Sequence, residues 1–178
     1  MRFPTREQCL RWYKELGTPQ NIIDHVIAVN KVAVFLCKKL KEKGIEIDSE
    51  TVDKGSLLHD LDKWLCINDK SVKHGFRTEE ILAEKGDSEL GFYAKQHRGD
   101  FIKSLKTWEE KIIYYADKRV LHDKIVSLKG RYDYINRKYP ARDSENRKED
   151  IALVYKLEKE IFDIIGEAPE ILSGNVEK

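Results

Sequence analysis

Residues 57–64 read LLHDLDKW. A histidine, two aspartates and a lysine stand here between leucines and a tryptophan, where a helix that only packs into a core would carry apolar side chains. Buried histidine and carboxylate groups are stable only when they are hydrogen-bonded, paired with an opposite charge or bound to a metal. The segment is therefore a candidate functional site within a leucine-rich helix.

Helical periodicity extends over almost the whole chain, and the alternation typical of strands is scarce. Residues 5–8, TREQ, have capping-box spacing and open a helix that ends at Gly17. The strongest helix covers about 20–43, where apolar residues recur at helical spacing before a lysine-rich last turn. These features predict an all-α fold, a single-domain helical bundle over residues 1–178. Further helices are predicted at about 49–60, 76–85, 87–97, 107–128, 131–138 and 144–165.

The composition is that of a globular domain with nearly equal numbers of basic and acidic residues. The chain has 178 residues, and its 33 Lys and Arg nearly cancel 32 Asp and Glu, so the net charge indicates neither a nucleic-acid nor a membrane partner. The apolar runs are shorter than the roughly 20 residues that cross a bilayer, and the start, MRFPTREQ, does not resemble a signal peptide. Three cysteines without a CxxC pair suit a reducing compartment, so we expect a cytoplasmic protein.

Two histidines fall on apolar helix faces. His25 lies between apolar residues three positions before and four positions after it, which sets it on or beside the buried stripe of the second helix. His59 and Asp60 end the third predicted helix. A satisfied core histidine is the commoner explanation for His25 alone, and a single His-Asp dipeptide is weak support because the chain repeats it at 122–123.

Asp117 distinguishes the two copies of this dipeptide. Its carboxylate falls along an apolar stripe of the helix predicted at 107–128, and an isolated buried carboxylate is costly. His122 lies five positions further on, which at about 100° per residue rotates it roughly 140° away from Asp117. We therefore predict that His122 lies at the surface and that the pair at His59 and Asp60 is the functional one.

Three predicted helices thus carry ligand-type groups on apolar faces. Helices of a bundle can bring such groups together in the core even when they are far apart in sequence. Imidazoles together with carboxylates suit a divalent transition metal such as Mn, Fe, Zn or Ni, with Mg less favoured by the number of histidines. Spacing by itself leaves open whether the groups converge.

The order His25, His59-Asp60 and Asp117 resembles the H…HD…D signature of the HD superfamily of metal-dependent phosphohydrolases, an all-α family. The resemblance covers about residues 20–125, and the helices at about 131–165 would pack on this core or on a partner chain. Four strings carry it: LLHDLDK, similar to the LLHDIGK-type string around the central pair, then HGFRTEEIL at 74–82, AKQHRGD at 94–100 and IIYYADKRV at 112–120.

The resemblance implies which residues bind metal. Members of the family hold a first ion with the four residues of the signature, of which Asp60 is here the central carboxylate. Members with dinuclear sites have two additional histidines, matched by His74 and His97, and the central aspartate then bridges both ions. One or two ions are therefore expected, and the implied ligands are His25, His59, Asp60, His74, His97 and Asp117.

The resemblance also implies a phosphohydrolase that cleaves a phosphoester of a nucleotide or another small phosphorylated molecule with a metal-activated water. Lys63 matches the lysine of an HDxxK variant of the signature and, with Asp60, would act in catalysis. Cationic residues near the additional histidines could hold phosphates that do not react. Of these we expect substrate binding by Lys73, Arg77 and Arg98.

Two features depart from the family pattern. Asp62 stands where many members have a small residue before the lysine, and its role is left open. His74 follows Asp60 by 14 residues, a shorter distance than we expect for the family's diadenosine tetraphosphate hydrolases or cyclic dinucleotide phosphodiesterases. The chain therefore resembles the small stand-alone members.

Two other functions stay open: a diiron oxygenase, because some relatives of this fold activate oxygen, and a non-catalytic nucleotide-binding module. The segment 129–148 interleaves basic residues with tyrosines, which could bind RNA or a nucleotide, but acidic residues interrupt it and a helix and loop covering the core is favoured. The amphipathic helix from 151 onward could pack on the bundle or on a second copy in a homodimer.

Overall fold

A computed structural model describes residues 3–140 and 145–176 of the protein. The described part is almost entirely helical, which confirms the all-α prediction. Within it, two short strands form an antiparallel hairpin. The elements in chain order are α1 (Arg6–Glu15), α2 (Gln20–Glu42), α3 (Ser49–Leu58), α4 (Lys63–Asn68), α5 (Phe76–Glu84), α6 (Ser88–Lys95), the 3-10 helix η1 (Gly99–Ser104), α7 (Trp108–Lys118), β1 (Val120–Leu121), β2 (Lys124–Ile125), α8 (Leu128–Lys138), α9 (Glu145–Ile165) and α10 (Ile171–Asn175).

Local sequence signals set where several helices begin. Thr5 and Gln8 form the predicted capping box, in which each side chain accepts the backbone N–H of the other residue. An equivalent box of Thr107 and Glu110 opens α7. The side chain of Asp48 accepts a backbone N–H of the first turn of α3. Each cap is worth about 1 kcal/mol, so these helices start at defined residues.

The helix α2 runs between two hydrophobic clusters. Ile23 and Val26 belong to the cluster formed with α1, α3, α5 and α6, whereas the later turns, from Val29 to Leu40, pack with α7 and α9. The helix α3 contacts α2, α6 and α7. The C-terminal ends of α3, α6 and α7 therefore meet beside the first turns of α2, where His25 lies.

The helix α9 packs on the bundle. It contacts α2, α7 and η1 and buries Val154 and Leu157. Arg119, which follows α7 and is buried, forms an ion pair with Glu158 of α9 at 3.0 Å and donates a hydrogen bond to the Tyr115 hydroxyl. Breaking a buried pair of this kind is costly, so the contact holds α9 in a fixed position against α7.

The helix predicted at 107–128 is shorter than expected. It ends at Lys118, and the hairpin of β1 and β2 follows. His122 lies in the hairpin turn at φ 57°, a left-handed conformation in which histidine occurs more often than most residues. The prediction was wrong because Val120 and Ile125, which suit a helical stripe, pair across the two strands instead. The His122 side chain is exposed, as predicted, but for this different reason.

The helix predicted at 49–60 also ends early. α3 stops at Leu58, and His59 and Asp60 lie in the turn that leads into α4. The backbone N–H groups of Leu61 and Lys63 donate to carbonyls three residues earlier, so the chain tightens here and leaves the α-helix. The helices α4 and α10 and the 3-10 helix η1 were not predicted either.

By length and composition alone, α2 could cross a membrane, which the lengths of its apolar runs did not indicate. Its most apolar window of 18 residues has a mean hydropathy of 1.2 and is 56% buried inside the bundle. A core helix of a globular protein meets the same criterion, and ten residues of α2 are buried. The apolar face of α2 therefore serves internal packing.

Candidate metal centre

Six side chains that the sequence marks as ligands converge where α2, α3, α6 and α7 meet. They come from α2, from the turn after α3, from the loop before α5, from the end of α6 and from the last turn of α7. The fold thus brings side chains that are 92 residues apart into contact. In chain order they are His25, His59, Asp60, His74, His97 and Asp117.

Asp60 lies at the centre of this group and is buried. Its Oδ2 atom is 3.9 Å from Nε2 of His25 and 3.8 Å from Nε2 of His59. Its Oδ1 atom is 3.2 Å from Nε2 of His74 and 3.3 Å from Nε2 of His97. The two oxygens of one carboxylate therefore face two different pairs of imidazoles.

Two sets of ligand atoms are each compact enough to surround one ion. Oδ1 of Asp117 lies 3.3 Å from Nε2 of His25 and 3.8 Å from Nε2 of His59. In the other set, the Nε2 atoms of His74 and His97 are 2.9 Å apart. Nitrogen and oxygen ligands of one transition-metal ion stand roughly 3–4 Å from one another, and the atoms within each set lie within 4.8 Å. The first set is His25, His59 and Asp117, and the second set is Asp60, His74 and His97.

All four histidines are held through Nδ1 and direct Nε2 towards the centre. Each Nδ1–H donates a hydrogen bond of 2.6–2.8 Å. Such partners fix the tautomer in which Nε2 carries a free lone pair, as in the histidine ligands of metal sites. The acceptors are the carbonyls of Ser56, Ala94 and His122 for His59, His97 and His25 respectively, and the carboxylate of Asp62 for His74.

The buried polar atoms at the centre fit a cation. Nε2 of His59 and Oδ1 of Asp60 are buried, and among the described residues neither has a hydrogen-bond partner of good geometry. An unpaired buried polar group costs about 1–3 kcal/mol, so native proteins seldom leave one without a reason. A divalent ion bound by each set would satisfy these atoms, and imidazole nitrogen with carboxylate oxygen is a donor set that transition metals accept.

Both carboxylates stay ionised in spite of their burial. Burial raises the pKa of Asp60, but Lys63, whose Nζ lies 3.6 Å from Oδ1, and the neighbouring imidazoles hold that pKa well below its usual range. Burial is outweighed at Asp117 too, where Lys118 and Arg131 lower the pKa. Because Lys118 donates to Oδ2 of Asp117 at 2.6 Å, the other oxygen is left to face the centre.

The four histidines divide into two neutral and two proton-bearing groups. Burial lowers the pKa of His59 to about 3 and also lowers that of His97, so both rings are neutral at pH 7. Burial opposes charge on His74 and His25 as well, but hydrogen bonds to carboxylates outweigh it, raising the pKa of His74 to about 9 and also that of His25. Metal binding requires neutral imidazoles, so filling the centre must displace protons.

We expect the metal affinity of the second set to rise with pH up to about pH 9. Below the pKa of His74, about 9, the ion must displace a proton, so each fall of one pH unit should weaken binding about tenfold. Calorimetric titration with Mn²⁺, in buffers of different ionisation enthalpy, measures both the affinity and the protons released. His74→Ala should release fewer protons, and a pH-independent affinity in the wild type would contradict the prediction.

Two of the predicted cationic residues line the same cavity as the metal centre. Lys63 begins α4 with its side chain 40% exposed beside Asp60. Arg98 lies close to the second set, donates to the carbonyl of His74 and forms an ion pair with Asp100 at 2.8 Å. Lys63 is therefore the freer of the two for contact with a ligand.

The structure places the other two predicted cations elsewhere. Arg77 lies on the outer side of α5, where it forms ion pairs with Glu80 and Glu84. Lys73 is exposed in the loop before α5. Within residues 3–140 and 145–176, neither belongs to the cavity lining, so contact with a small substrate at the centre would require both to move.

The metal centre opens into a cavity of about 740 Å³. One wall of this cavity comes from α8 and α9, which lie outside the region that carries the resemblance. This wall is partly apolar and carries Arg131 at its base. Its apolar members are Tyr132, Ile135, Ile151 and Val154.

Sequence reasoning missed Lys118 and Arg131 as neighbours of the centre. Lys118 directly follows Asp117, so the string ADKR offered a signal that a cation accompanies this carboxylate. Arg131 offered none, because the hairpin after α7 turns the chain back and brings α8 beside Asp117, with 3.4 Å between the guanidinium and Oδ1. That reversal leaves no periodic trace in the sequence.

Comparisons with known proteins identify relatives of this chain. Uncharacterized protein MJ0778 of Methanocaldococcus jannaschii is 31% identical over 155 residues, covering 79% of this chain and 87% of that protein. Two proteins named tRNA (cytidine(56)-2'-O)-methyltransferase, from Picrophilus torridus and Thermoplasma volcanium, are 30% and 27% identical over 92% of this chain. The chain spans only 48% of the length of each methyltransferase. No solved structure matches it.

The family comparison covers the helices that build the centre. The family model of the HD domain matches residues 22–120, which is more than half of the chain. This range includes all six converging side chains. The chain therefore belongs to the HD domain family, whose members are generally metal-dependent hydrolases.

Proposed function

We propose that the protein is a metal-dependent phosphohydrolase that cleaves a phosphoester of a nucleotide or another small phosphorylated molecule. The observation that carries the proposal is Asp60, which directs one oxygen to each of two ligand sets at the floor of a cavity. The two sets of residues would each hold an ion, and two such ions would supply positive charge for the attacking and the leaving oxygen of a phosphoryl transfer. We favour Mn, Fe, Zn or Ni over Mg, because imidazoles supply four of the six ligands.

Each part of the centre has a task in this reaction. A bound divalent ion would lower the pKa of a coordinated water to near neutrality and so supply the nucleophile. Lys63 would hold a non-bridging phosphoryl oxygen, because its side chain lines the cavity and its ammonium group lies 3.6 Å from Oδ1 of Asp60. A cation fixed there beforehand stabilises the negative charge that grows in the transition state. Lys118 keeps Asp117 in place through their hydrogen bond.

The cavity supports a substrate of nucleotide size. Its volume of about 740 Å³ lies within the range of roughly 300–1,000 Å³ usual for small-molecule sites. Tyr132 and Val154 offer an apolar wall to a base or another ring, while Arg131 and Arg98 add positive charge for phosphate. A nucleoside monophosphate would present its ester to the metal floor and its base to this wall.

A second candidate substrate is a phosphate carried by RNA. Two relatives are named as tRNA methyltransferases, and this chain matches about half of each. On α8, the Lys138 ammonium donates to the Tyr134 hydroxyl and lies 5.4 Å from the centre of its ring, so cation and aromatic ring stand together on this helix. Residues 141–144 of the segment 129–148 lie outside the described residues. Preference for phosphorylated oligonucleotides over mononucleotides, with a steep salt dependence, would favour this candidate.

Two further alternatives use the same residues. The ligand set also permits a diiron oxygenase, and protein prepared without oxygen that contains no iron would argue against that activity. A non-catalytic nucleotide-binding module would bind nucleotides without metal. The phosphohydrolase is preferred because a binding module has no need of six converging ligand groups, four of them buried.

The test of the proposed function is a panel of phosphomonoesters, phosphodiesters, nucleotides and phosphorylated oligonucleotides, incubated with metal-reconstituted protein. Metal-free protein and the Asp60→Ala variant are the controls. We expect turnover of at least one class by the wild type alone. No turnover anywhere in the panel, with bound metal verified by elemental analysis, would reject the proposal.

A further inference from the structure

We propose that Asp62 is a positioning residue, whose carboxylate holds His74 so that Nε2 of this ring binds the ion of the second set. The inference rests on the metal centre of the proposed function but not on any particular substrate. Asp62 is the residue that departs from the small side chain of many family members, and the ligand signature alone does not explain it.

The carboxylate of Asp62 is fully buried, and both of its oxygens accept hydrogen bonds. Its Oδ1 atom accepts the hydrogen bond from Nδ1 of His74 at 2.6 Å. Its Oδ2 atom accepts the backbone N–H groups of Gly75 and Thr78, and its own backbone N–H donates to the Thr78 hydroxyl at 3.1 Å. One side chain therefore caps the start of α5 and holds the histidine that precedes it.

His74 depends on this contact more than the other histidines depend on theirs. His25 lies within a helix, and His59 and His97 lie immediately after one, whereas His74 lies in the loop between α4 and α5, with its side chain 27% exposed. A neutral imidazole carries its single proton on one nitrogen, so donation from Nδ1 to Asp62 leaves the Nε2 lone pair free for metal. The carboxylate thus decides which nitrogen faces Oδ1 of Asp60, 3.2 Å away.

An alternative role for Asp62 is that of a direct metal ligand, because ligand atoms of Asp62, Cys66 and His74 also lie within 4.8 Å of one another. A metal bound by that trio through Oδ1 of Asp62 would have to displace the hydrogen bond from Nδ1 of His74. It would also turn Nδ1 of His74 into a ligand and leave Nε2 protonated. The positioning role keeps this hydrogen bond, and the two arrangements are separable by experiment.

The Asp62→Asn variant separates positioning from capping. Two backbone N–H groups require the side-chain oxygen, so the amide should place its oxygen towards Gly75 and Thr78 and its NH₂ group towards His74. Nδ1 must then accept, which moves the ring proton to Nε2 and blocks metal binding there. The cap of α5 survives in this variant, whereas Asp62→Ala loses both contacts.

Calorimetric titration of the full chain with Zn²⁺ is the test. We expect two ions per wild-type chain, and in Asp62→Asn a loss of about 10- to 100-fold in affinity for one of them, as is typical of outer-shell partners of metal ligands. The other ion should keep its affinity within about twofold. The double variant Asp62→Asn/His74→Ala should bind no more weakly than His74→Ala, because Asp62 acts through His74. In the zinc-loaded wild type, the nitrogen NMR signal of His74 Nε2 should show coordination, and in Asp62→Asn it should not.

Matched variants complete the test. Asp69→Asn changes an exposed aspartate at the start of the same loop and should leave both ions in place. The inference is overturned if Asp62→Asn binds both ions as tightly as the wild type, if both ions weaken equally, or if the wild type takes up one ion that His74→Ala does not affect. Loss of an ion in Cys66→Ala would assign the metal to the alternative trio instead. A wild type that binds two ions but hydrolyses nothing would reject the phosphohydrolase and leave this inference standing.

Discussion

Asp60→Ala should abolish metal binding and activity together. The substitution removes a carboxylate whose oxygens face the imidazoles of both sets, so the second set keeps His74 and His97 alone. Loss of a direct ligand should exceed the 10- to 100-fold typical of outer-shell partners, so we expect turnover to fall by at least ~10³-fold. Elemental analysis of freshly purified protein, followed by the phosphoester assay, measures both effects.

The chain contains its own control for this substitution. Asp123 belongs to the second His-Asp dipeptide and is exposed in the hairpin turn. Asp123→Ala should therefore keep wild-type metal content and wild-type turnover. Asp60→Asn, which preserves the shape of the side chain, should behave like Asp60→Ala. Equal metal content in the wild type and the Asp60 variants would refute the assignment of the centre.

Lys63→Met should slow turnover by about 10²- to 10³-fold while the metal stays bound. The substitution removes the ammonium group that would contact the phosphoryl oxygens, and loss of one preorganised transition-state contact typically costs this much. Metal content should not fall, because Lys63 lies 3.6 Å from Oδ1 of Asp60 and its charge repels a cation bound there. If the contact forms mainly in the transition state, kcat should fall and KM should change little.

Lys73 and Arg77, which are close to Lys63 in sequence, provide matched control positions for Lys63→Met. Lys73→Met and Arg77→Met each remove one positive charge from the same part of the chain, but these side chains lie outside the cavity lining. Both variants should keep turnover within about threefold of the wild type, since Lys73 is exposed and Arg77 forms ion pairs with Glu80 and Glu84. A Lys63→Met enzyme with the wild-type rate would remove Lys63 from the mechanism, and a strong effect of Arg77→Met would show that α5 moves towards the substrate.

The helical fold was largely predictable, because its signals are local. Apolar spacing and capping residues indicated α1, α2, α5 and α6 close to their observed limits. The ends of α3 and α7 were not predictable, because long-range contacts fix them. The backbone N–H of Asp62 donates to Thr78, 16 residues later, and the carbonyl of His122 accepts the Nδ1–H of His25, 97 residues earlier. Such bonds stabilise turns where apolar spacing alone favours a longer helix.

The candidate site was predictable only as a set of ligand-type residues. The resemblance to the HD superfamily suggested six side chains, and the structure brings these six together. The surroundings of the six were not predictable from spacing. His74 lies in a loop without periodicity, so nothing in the sequence paired it with Asp62. Arg131 reaches Asp117 only because the hairpin reverses the chain.

The two walls of the cavity come from consecutive parts of the chain. All six ligand-type side chains lie before residue 120, whereas the other wall belongs to α8 and α9. In the proposed function, the reaction chemistry would thus depend on residues before 120, and part of the substrate contact would depend on α8 and α9. Grafting the α8–α9 segment of a relative onto α1–α7 of this protein, with Arg131 kept beside Asp117, should therefore change its substrate preference while the ions stay bound.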